Sequence, residues 1–319
     1  MLKLNAALKD YIWGGNNLKN KYGKSSDGPV AEAWELSTHP DGKSRVSGGE
    51  FDGMELPEVL KIHPEYCGPE GCPDGTLPVL FKLIDSDAPL SVQVHPDDLY
   101  ARRVENSSGK TECWYILEAA EDACIYLGLN RDLSREAFEE KIRDGSLLSV
   151  LNRISVRPGE IYNIPAGTVH ALGKGVTLAE LQQNSNLTYR VYDYGRLGRD
   201  GKPRPLHIQK ALDVIHLKKG IPDVPADSEV LEKEGLLIRN ILRTDLFCLD
   251  RLELSGNALL PGSGSFRAMT CVDGNAVLSS GENSLNMQKG DTVFVCAGET
   301  VRLSGSASVL LYGPDRGRF

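Results

Sequence analysis

The stretch "VRPGEIYNIPAG", residues 156–167, aligns without gaps on a second stretch, "MQKGDTVFVCAG", residues 287–298. Each copy has a Gly-acid turn, an apolar run of strand-forming residues and a closing Ala-Gly. A repeat of this kind predicts two related β-barrels in tandem. The copies differ just beyond the alignment, where His170 follows the first and Val301 takes the equivalent place after the second. We therefore expect a histidine at the mouth of the first barrel and none at the second.

The rest of the chain supports a mainly β fold. Short β-rich runs alternate with Gly, Pro, Asn and Asp, as in "PVLFKLIDSDAPLSVQVHP", residues 78–96. Short helical insertions are predicted at about 131–152 and 205–216. The first of them has Phe138 and Ile142 at helical spacing, and Ser134 is its candidate N-cap.

The domain boundaries follow from composition. The segment 218–230 is part of a charged, proline-bearing stretch and is the predicted linker. We expect a first domain over 1–217, which includes the helical insertions, and a smaller second domain over 231–319.

Composition limits the partners and the location of the protein. A net charge of -8 and a pI near 5.4 argue against binding to nucleic acid or to an anionic membrane, both of which favour clustered Lys and Arg. No secretory signal or membrane-spanning stretch is recognisable, so we expect a cytoplasmic protein. The seven cysteines are an odd number scattered over a large chain, and free thiols are the expected state.

Candidate metal ligands occur on three predicted strands. Side chains on a strand alternate between its two faces, so Gln93 and His95 in "SVQVHPDD" share one face. Glu112 opens the strand "ECWYIL", and His170 follows the first copy of the repeat. Two imidazoles, a carboxylate and an amide oxygen suit zinc or another borderline divalent ion.

Several motifs in order resemble the type I mannose-6-phosphate isomerases, in particular their short bacterial form. They are "YIWGG" at 11–15, "AEAWELSTHPDG" at 31–42, "QVHPDD" at 93–98, "GKTECWYIL" at 109–117, "IPAGTVHAL" at 164–172, "YRVYDYGR" at 189–196 and "RPLHIQKALDVI" at 204–215. The resemblance covers about the first two-thirds of the chain. It implies a cupin fold, in which the tandem barrels are jelly rolls, and one zinc ion per chain held by Gln93, His95, Glu112 and His170.

The resemblance also implies a reaction, the interconversion of mannose 6-phosphate and fructose 6-phosphate through an enediol. It points to Arg190, Lys110 and Glu180 as catalytic residues. Ser91 and Trp13 join Lys110 and Arg190 as candidate substrate-binding residues, although packing alone would also explain Trp13. The expected partner is a small sugar phosphate, and the expected state is a monomer or a weak homodimer.

Some alternatives stay open at this point. The proton-transferring base is Glu180, Asp193, a zinc-bound water or Lys110. A non-catalytic cupin that binds sugar phosphates is a rival function, and an iron-dependent cupin oxygenase is another.

Overall fold

The protein folds into three antiparallel sheets with short helices, which confirms the prediction of a mainly β fold. The computed structural model describes residues 1–69, 71–72, 74–223 and 230–314. The strands in chain order are β1 (Leu2–Asn5), β2 (Ala7–Lys9), β3 (Glu32–Leu36), β4 (Arg45–Val46), β5 (Val79–Ser86), β6 (Val92–Val94), β7 (Glu112–Ala119), β8 (Cys124–Leu129), β9 (Leu151–Ser155), β10 (Ile161–Ile164), β11 (His170–Leu172), β12 (Val176–Gln183), β13 (Tyr189–Tyr192), β14 (Val230–Lys233), β15 (Leu236–Arg243), β16 (Cys248–Leu260), β17 (Arg267–Ser280), β18 (Asn283–Gln288), β19 (Thr292–Val295) and β20 (Val301–Gly313).

The helices lie in the connections between strands. They are α1 (Asn17–Tyr22), α2 (Leu56–Ile62), α3 (Asp98–Glu105), α4 (Arg135–Arg143) and α5 (Ile208–Val214), with 3₁₀ segments at Pro64–Cys67 and Leu147–Val150. Over the described ranges, every helix is too short or too polar to cross a lipid bilayer.

Both predicted helical insertions contain a helix. In α4 the Ser134 side chain accepts a hydrogen bond from the Ala137 amide, as an N-cap does, and Phe138 and Ile142 are buried. The predicted insertion at 205–216 contains α5.

The order of strands leaves each sheet open at two edges. The nine-stranded sheet runs β14-β15-β16-β20-β17-β19-β1-β4, with β18 paired to β17. The six-stranded sheet runs β10-β7-β12-β5-β3-β2, and the five-stranded sheet runs β13-β6-β11-β8-β9. Across the described strands no sheet closes on itself, so the finer prediction of two tandem jelly-roll barrels is not confirmed.

Each copy of the repeat forms a strand that is followed along the chain by a further strand. The apolar run of the first copy forms β10, and that of the second forms β19. The next strand then begins at His170 in the first case and at Val301 in the second. The two positions therefore correspond in the order of strands along the chain, although β10 is an edge strand of its sheet and β19 lies between β17 and β1.

The N-terminal strand belongs to the sheet formed mainly by the C-terminal part of the chain. β1 pairs with β19, with Leu2 opposite Phe294, and its other neighbour is β4. The predicted domains, 1–217 and 231–319 with a linker at 218–230, remain a prediction. Residues 224–229 of that linker and residues 315–319 lie outside the described residues.

An apolar cluster fills the space between the six-stranded and five-stranded sheets. It includes Trp114 and Ile116 from β7, Ile125 and Leu127 from β8, and Leu172 from β11. Because these two sheets pack face to face, polar residues on their inner faces must meet one another or a ligand.

The expectation of free thiols is wrong for one pair of cysteines. Cys67 and Cys72 form a disulfide, with their Cα atoms 5.9 Å apart. Gly68 and Gly71, between the two cysteines in sequence, have positive φ angles of 111° and 64°, which favour glycine. The prediction holds for Cys113, Cys124, Cys271 and Cys296.

Candidate metal centre and active site

Three predicted ligands from separate strands converge in the protein interior. Glu112 is the first residue of β7, His170 is the first of β11, and His95 directly follows β6. All three side chains are buried, and their candidate ligand atoms lie within 4.8 Å of one another. Gln93, the fourth predicted ligand, is paired with His170 across the sheet, and their Nε2 atoms are 3.3 Å apart.

The local sequence explains the position of His95. Pro96 has no amide hydrogen, so β6 cannot extend through it, and Asp97 caps α3 by accepting a hydrogen bond from the Tyr100 amide at 2.8 Å. The His95 carbonyl accepts from the Gly167 amide at 2.8 Å, which ties this turn to the loop before His170. The strand therefore ends and a helix begins at the point where the histidine faces inward.

Backbone carbonyls orient both imidazole rings. His95 Nδ1 lies 2.7 Å from the Leu187 carbonyl oxygen, and His170 Nδ1 lies 2.9 Å from that of Thr168. A carbonyl only accepts, so Nδ1 carries the hydrogen in each neutral ring and Nε2 keeps a lone pair. The two Nε2 atoms face Glu112, at 3.2 Å from Oε1 for His95 and 3.7 Å from Oε2 for His170.

The charge states favour metal binding. Burial, reinforced by the nearby Lys110 cation, lowers the pKa of His95 to about 3, and burial also lowers the pKa of His170. Burial alone would raise the pKa of Glu112, but Lys110 and His95 more than offset this and hold it well below its usual range. Neutral imidazoles beside an ionised carboxylate are the forms in which these groups bind a metal.

A divalent cation would fit this set of residues. Both Glu112 oxygens are buried, and among the described residues neither accepts a hydrogen bond of good geometry. Lys110 Nζ lies 2.5 Å from Glu112 Oε1 as an ion partner. A buried carboxylate that faces two imidazole lone pairs matches the ligand atoms that zinc and similar ions prefer.

A cavity of about 300 Å³ adjoins this cluster and brings the other predicted site residues together. Its walls include all five predicted catalytic or substrate-binding residues, which are Trp13, Ser91, Lys110, Glu180 and Arg190. The predicted metal ligand Gln93 also lines the cavity. Residues from separate strands and loops of the first 204 residues reach this one space.

Arg190 is held at the wall by neutral partners. Its Nε donates to Ser91 Oγ at 3.2 Å, and its Nη1 donates to the Pro205 carbonyl at 3.0 Å. In the part of the chain that the structure describes, no carboxylate lies within ion-pair distance of Arg190. The guanidinium therefore has charge available for an anionic ligand, and Ser91 supports it directly.

Trp13 both packs and lines the cavity. Its ring stacks on Tyr11 with centroids 5.5 Å apart, and only 4% of its surface is exposed. The turn after it requires glycine, because a Cβ on Gly14 would lie 2.8 Å from the Cα of Ala31. The packing and substrate-site interpretations of Trp13 are thus compatible.

Asp193, one of the four candidate bases, is committed to other partners. Arg196 Nη2 and Arg204 Nη2 each lie 2.6 Å from its Oδ1, and Arg204 Nε lies 2.8 Å from its Oδ2. Burial would raise its pKa, but these arginines lower it. Asp193 is absent from the cavity wall, whereas Glu180 and Arg204 form part of it.

Lys82 and Glu32 are cavity residues that the sequence interpretation missed. Lys82 lies opposite Glu180 on the paired strand, with Nζ 3.2 Å from Glu180 Oε1 and 3.6 Å from Glu32 Oε2. Burial would lower the pKa of Lys82, but the two carboxylates raise it. The sequence did contain a signal for this group, because Lys82 lies within the apolar run of β5. A lysine buried there requires carboxylate partners nearby.

Two tryptophans orient the carboxylates of this group. Trp34 Nε1 donates to Glu32 at 2.6 Å, and Trp114 Nε1 donates to Glu180 Oε2 at 2.8 Å. Burial raises the pKa of Glu180, and the Glu112 charge adds to this effect. The cavity therefore contains a fixed carboxylate with increased proton affinity.

Comparisons with known proteins agree over most of the chain. Residues 1–122 match the family described as phosphomannose isomerase type I, catalytic domain, and residues 238–312 match mannose-6-phosphate isomerase, cupin domain. A probable mannose-6-phosphate isomerase, GmuF of Bacillus subtilis, is 39% identical over 86% of both chains. A mannose-6-phosphate isomerase of Streptococcus mutans is 34% identical over 91% of this chain and 90% of that one.

A solved structure extends the agreement to the fold. The crystal structure of the mannose 6-phosphate isomerase from Bacillus subtilis superposes with a TM-score of 0.91 at 33% identity, and the match covers 98% of both chains. Family match, sequence identity and fold agree with the resemblance carried by the motifs. This chain belongs to the type I mannose-6-phosphate isomerase family, and the prediction that it is an enzyme of this family is confirmed.

Proposed function

We propose that this protein interconverts mannose 6-phosphate and fructose 6-phosphate through an enediol, with one zinc ion per chain. The observation that carries the proposal is the buried cluster of His95, Glu112 and His170 beside a cavity lined by Arg190, which forms no ion pair with a carboxylate of the described residues. The relatives named above, a mannose-6-phosphate isomerase of Streptococcus mutans and a probable one of Bacillus subtilis, support the same reaction.

Gln93, His95, Glu112 and His170 would hold the zinc ion. When bound, it would supply a positive charge that polarises the sugar carbonyl and stabilises negative charge on its oxygen. The surrounding apolar cluster limits access of water, so electrostatic interactions in the site are strong.

Glu180 is the best supported of the candidate bases. The reaction needs a group that removes a proton from the carbon beside the carbonyl and returns it to the neighbouring carbon. Glu180 lines the cavity and is oriented by Trp114 and Lys82, whereas Asp193 is held by two arginines outside it. Lys110, which is paired with Glu112, would stabilise the oxyanion, and Arg190 would orient the sugar.

The arrangement of two cupin units is also part of this proposal. The match of residues 238–312 to a cupin domain supports one such unit, and we propose that the six-stranded and five-stranded sheets form the catalytic one. A cytoplasmic location and a monomeric or weakly dimeric state remain predictions.

The central test is turnover of mannose 6-phosphate by purified, metal-replete protein. We expect production of fructose 6-phosphate, loss of activity after chelation and recovery on addition of zinc. Binding of the sugar phosphate without turnover would favour the non-catalytic cupin, whereas oxygen consumption that depends on iron would favour the oxygenase.

Glu180→Gln tests the assignment of the base. The amide keeps the shape of the side chain but cannot accept the proton, so we expect kcat to fall by about 10²–10⁴-fold with a similar KM. Turnover as fast as in the unmodified protein would remove Glu180 from this role.

A further inference from the structure

The segment between β13 and α5 brings a second guanidinium to the cavity. Arg204 lines the cavity together with Arg190. Asp193 accepts two hydrogen bonds from Arg204, at 2.8 Å from Nε and 2.6 Å from Nη2. This paired contact fixes the plane of the guanidinium and leaves Nη1 outside the contact with Asp193.

The charges at this end of the cavity do not balance. Arg190, Arg196 and Arg204 cluster around a single carboxylate, that of Asp193, among the residues that the structure describes. Burial lowers the pKa of Arg190, and the charge of Arg204 lowers it further, as expected for neighbouring cations. An anion bound here would relieve this repulsion.

Arg190 lies opposite Gln93 on the paired strand, but the side-chain contacts of Arg190 and Arg196 lead away from the histidines. Going backwards along the chain from His95, the order is Gln93, Ser91 and then Pro89. Arg190 contacts Ser91, and Arg196 contacts the Pro89 carbonyl. At the rise of an extended strand, Ser91 is ~13 Å along the chain from His95. A ligand with its carbonyl near the histidines would extend its other end towards these arginines.

We propose that Arg204 binds the phosphate group of the substrate and that Asp193 is the positioning residue that holds Arg204 in place. The proposal rests on the proposed function and adds to it the residue that distinguishes a sugar phosphate from the free sugar. Guanidinium groups bind phosphate oxygens with paired, directional hydrogen bonds, which a lysine cannot reproduce. Arg190, already oriented by Ser91, adds a second charge.

The test compares metal-replete Arg204→Gln with the unmodified protein on two substrates. We expect the KM for mannose 6-phosphate to rise at least about tenfold with kcat within a few fold, since phosphate binding contributes to both ground and transition states. The kcat/KM for unphosphorylated mannose should stay unchanged. The inhibition constant of inorganic phosphate should rise in parallel with KM.

A matched control comes from the same segment. Arg199 also carries a guanidinium, but it pairs with Asp10 at 2.6 Å and is absent from the cavity wall. Arg199→Gln should therefore keep the KM of the unmodified protein. Arg204→Lys keeps the charge without the planar fork, and we expect an intermediate KM.

Asp193→Asn separates positioning from proton transfer. A positioning role predicts a raised KM with turnover retained, and little further change when Arg204→Gln is added. Turnover that is slower by about 10²-fold or more at unchanged KM would instead make Asp193 the base and overturn its assignment here.

The outcomes distinguish this proposal from the proposed function. An active unmodified protein with an equally low KM and equal phosphate inhibition in Arg204→Gln would overturn the phosphate site. If the unmodified protein shows no isomerase activity, the proposed function fails, and calorimetric titration with inorganic phosphate still tests Arg204. Weaker binding in Arg204→Gln would then support the site, and equal binding would overturn it.

Discussion

The strands that begin at His170 and at Val301 occupy equivalent places after the two copies of one repeat, yet their surroundings are opposite. His170 is buried beside Glu112 and other charged groups of the six-stranded and five-stranded sheets, which we call the sheet pair. Val301 is buried in an apolar cluster of the nine-stranded sheet, with Leu303 and Val295. One pattern of turn, strand and turn thus supports both a polar site and a hydrophobic core.

The difference has an energetic basis. Burial of a charged group is costly unless a partner or a metal compensates for it. The sheet pair buries Lys82, Glu112 and Glu180 together, so each charge there depends on its neighbours. In the apolar cluster of the nine-stranded sheet, each buried side chain contributes to stability with less dependence on the identity of its neighbours than the charges of the sheet pair have. Single substitutions should therefore affect the two regions in different ways.

The largest difference in zinc content and activity is expected between the variants His170→Ala and Val301→Ala. Loss of an imidazole ligand should reduce bound zinc far below one per chain and lower kcat/KM by at least about 10²-fold. Val301→Ala removes two buried methyl groups and should cost about 1–3 kcal/mol of unfolding free energy with the metal content retained. Metal analysis and steady-state kinetics on both purified variants would measure this.

Either of two results would contradict this contrast. Undiminished zinc in a folded His170→Ala protein would remove His170 from the ligand set. Equal loss of zinc in both variants would show that the metal depends on the overall fold and not on the histidine.

A second comparison concerns a lysine in each region. Lys82→Met removes a buried cation and leaves Glu32 and Glu180 unpaired, which should cost about 3–5 kcal/mol. Lys3 pairs with Asp291 near the surface of the nine-stranded sheet, so Lys3→Met should cost at most about 1 kcal/mol. Urea unfolding of the two variants would measure these costs.

The double variant Lys82→Met with Glu180→Gln sharpens this comparison. Removal of one unpaired carboxylate should restore part of the lost stability if the two groups are coupled. Additive losses would instead show that Lys82 acts mainly through packing.

The smallest effect on function is expected in the nine-stranded sheet. Leu252 is fully buried in its apolar cluster, and Leu252→Ala should cost about 2–5 kcal/mol through the cavity it leaves. We expect unchanged zinc content and KM at temperatures at which the variant is folded. A changed KM in a fully folded sample would show that this sheet also shapes the active site.

Local sequence patterns predicted the positions of some residues of the candidate site. The alternation of side chains along a strand correctly put Gln93 and His95 on the same side, and the repeat singled out His170. Helix capping and spacing predicted α4 equally well, because these signals depend on residues close together in sequence.

Features that depend on distant residues were not predicted. All side chains of β5 are buried, so its sequence does not reveal which face of the strand meets the cavity, and Lys82 was missed. The pairing of β1 with β19 joins positions at opposite ends of the chain, and no local pattern specifies it. The disulfide of Cys67 and Cys72 depends on a turn whose geometry the spacing alone did not indicate.

The pairing of β1 with β19 also has a consequence for biosynthesis. Leu2 and Phe294 lie opposite each other, so almost the whole chain is translated between them. At typical synthesis rates, β1 waits roughly 15–60 s for this partner. Throughout that interval one edge of β1 exposes unpaired backbone groups to other nascent chains. A ribosome that stalls before β19 would prolong the exposure of that edge and with it the risk of aggregation.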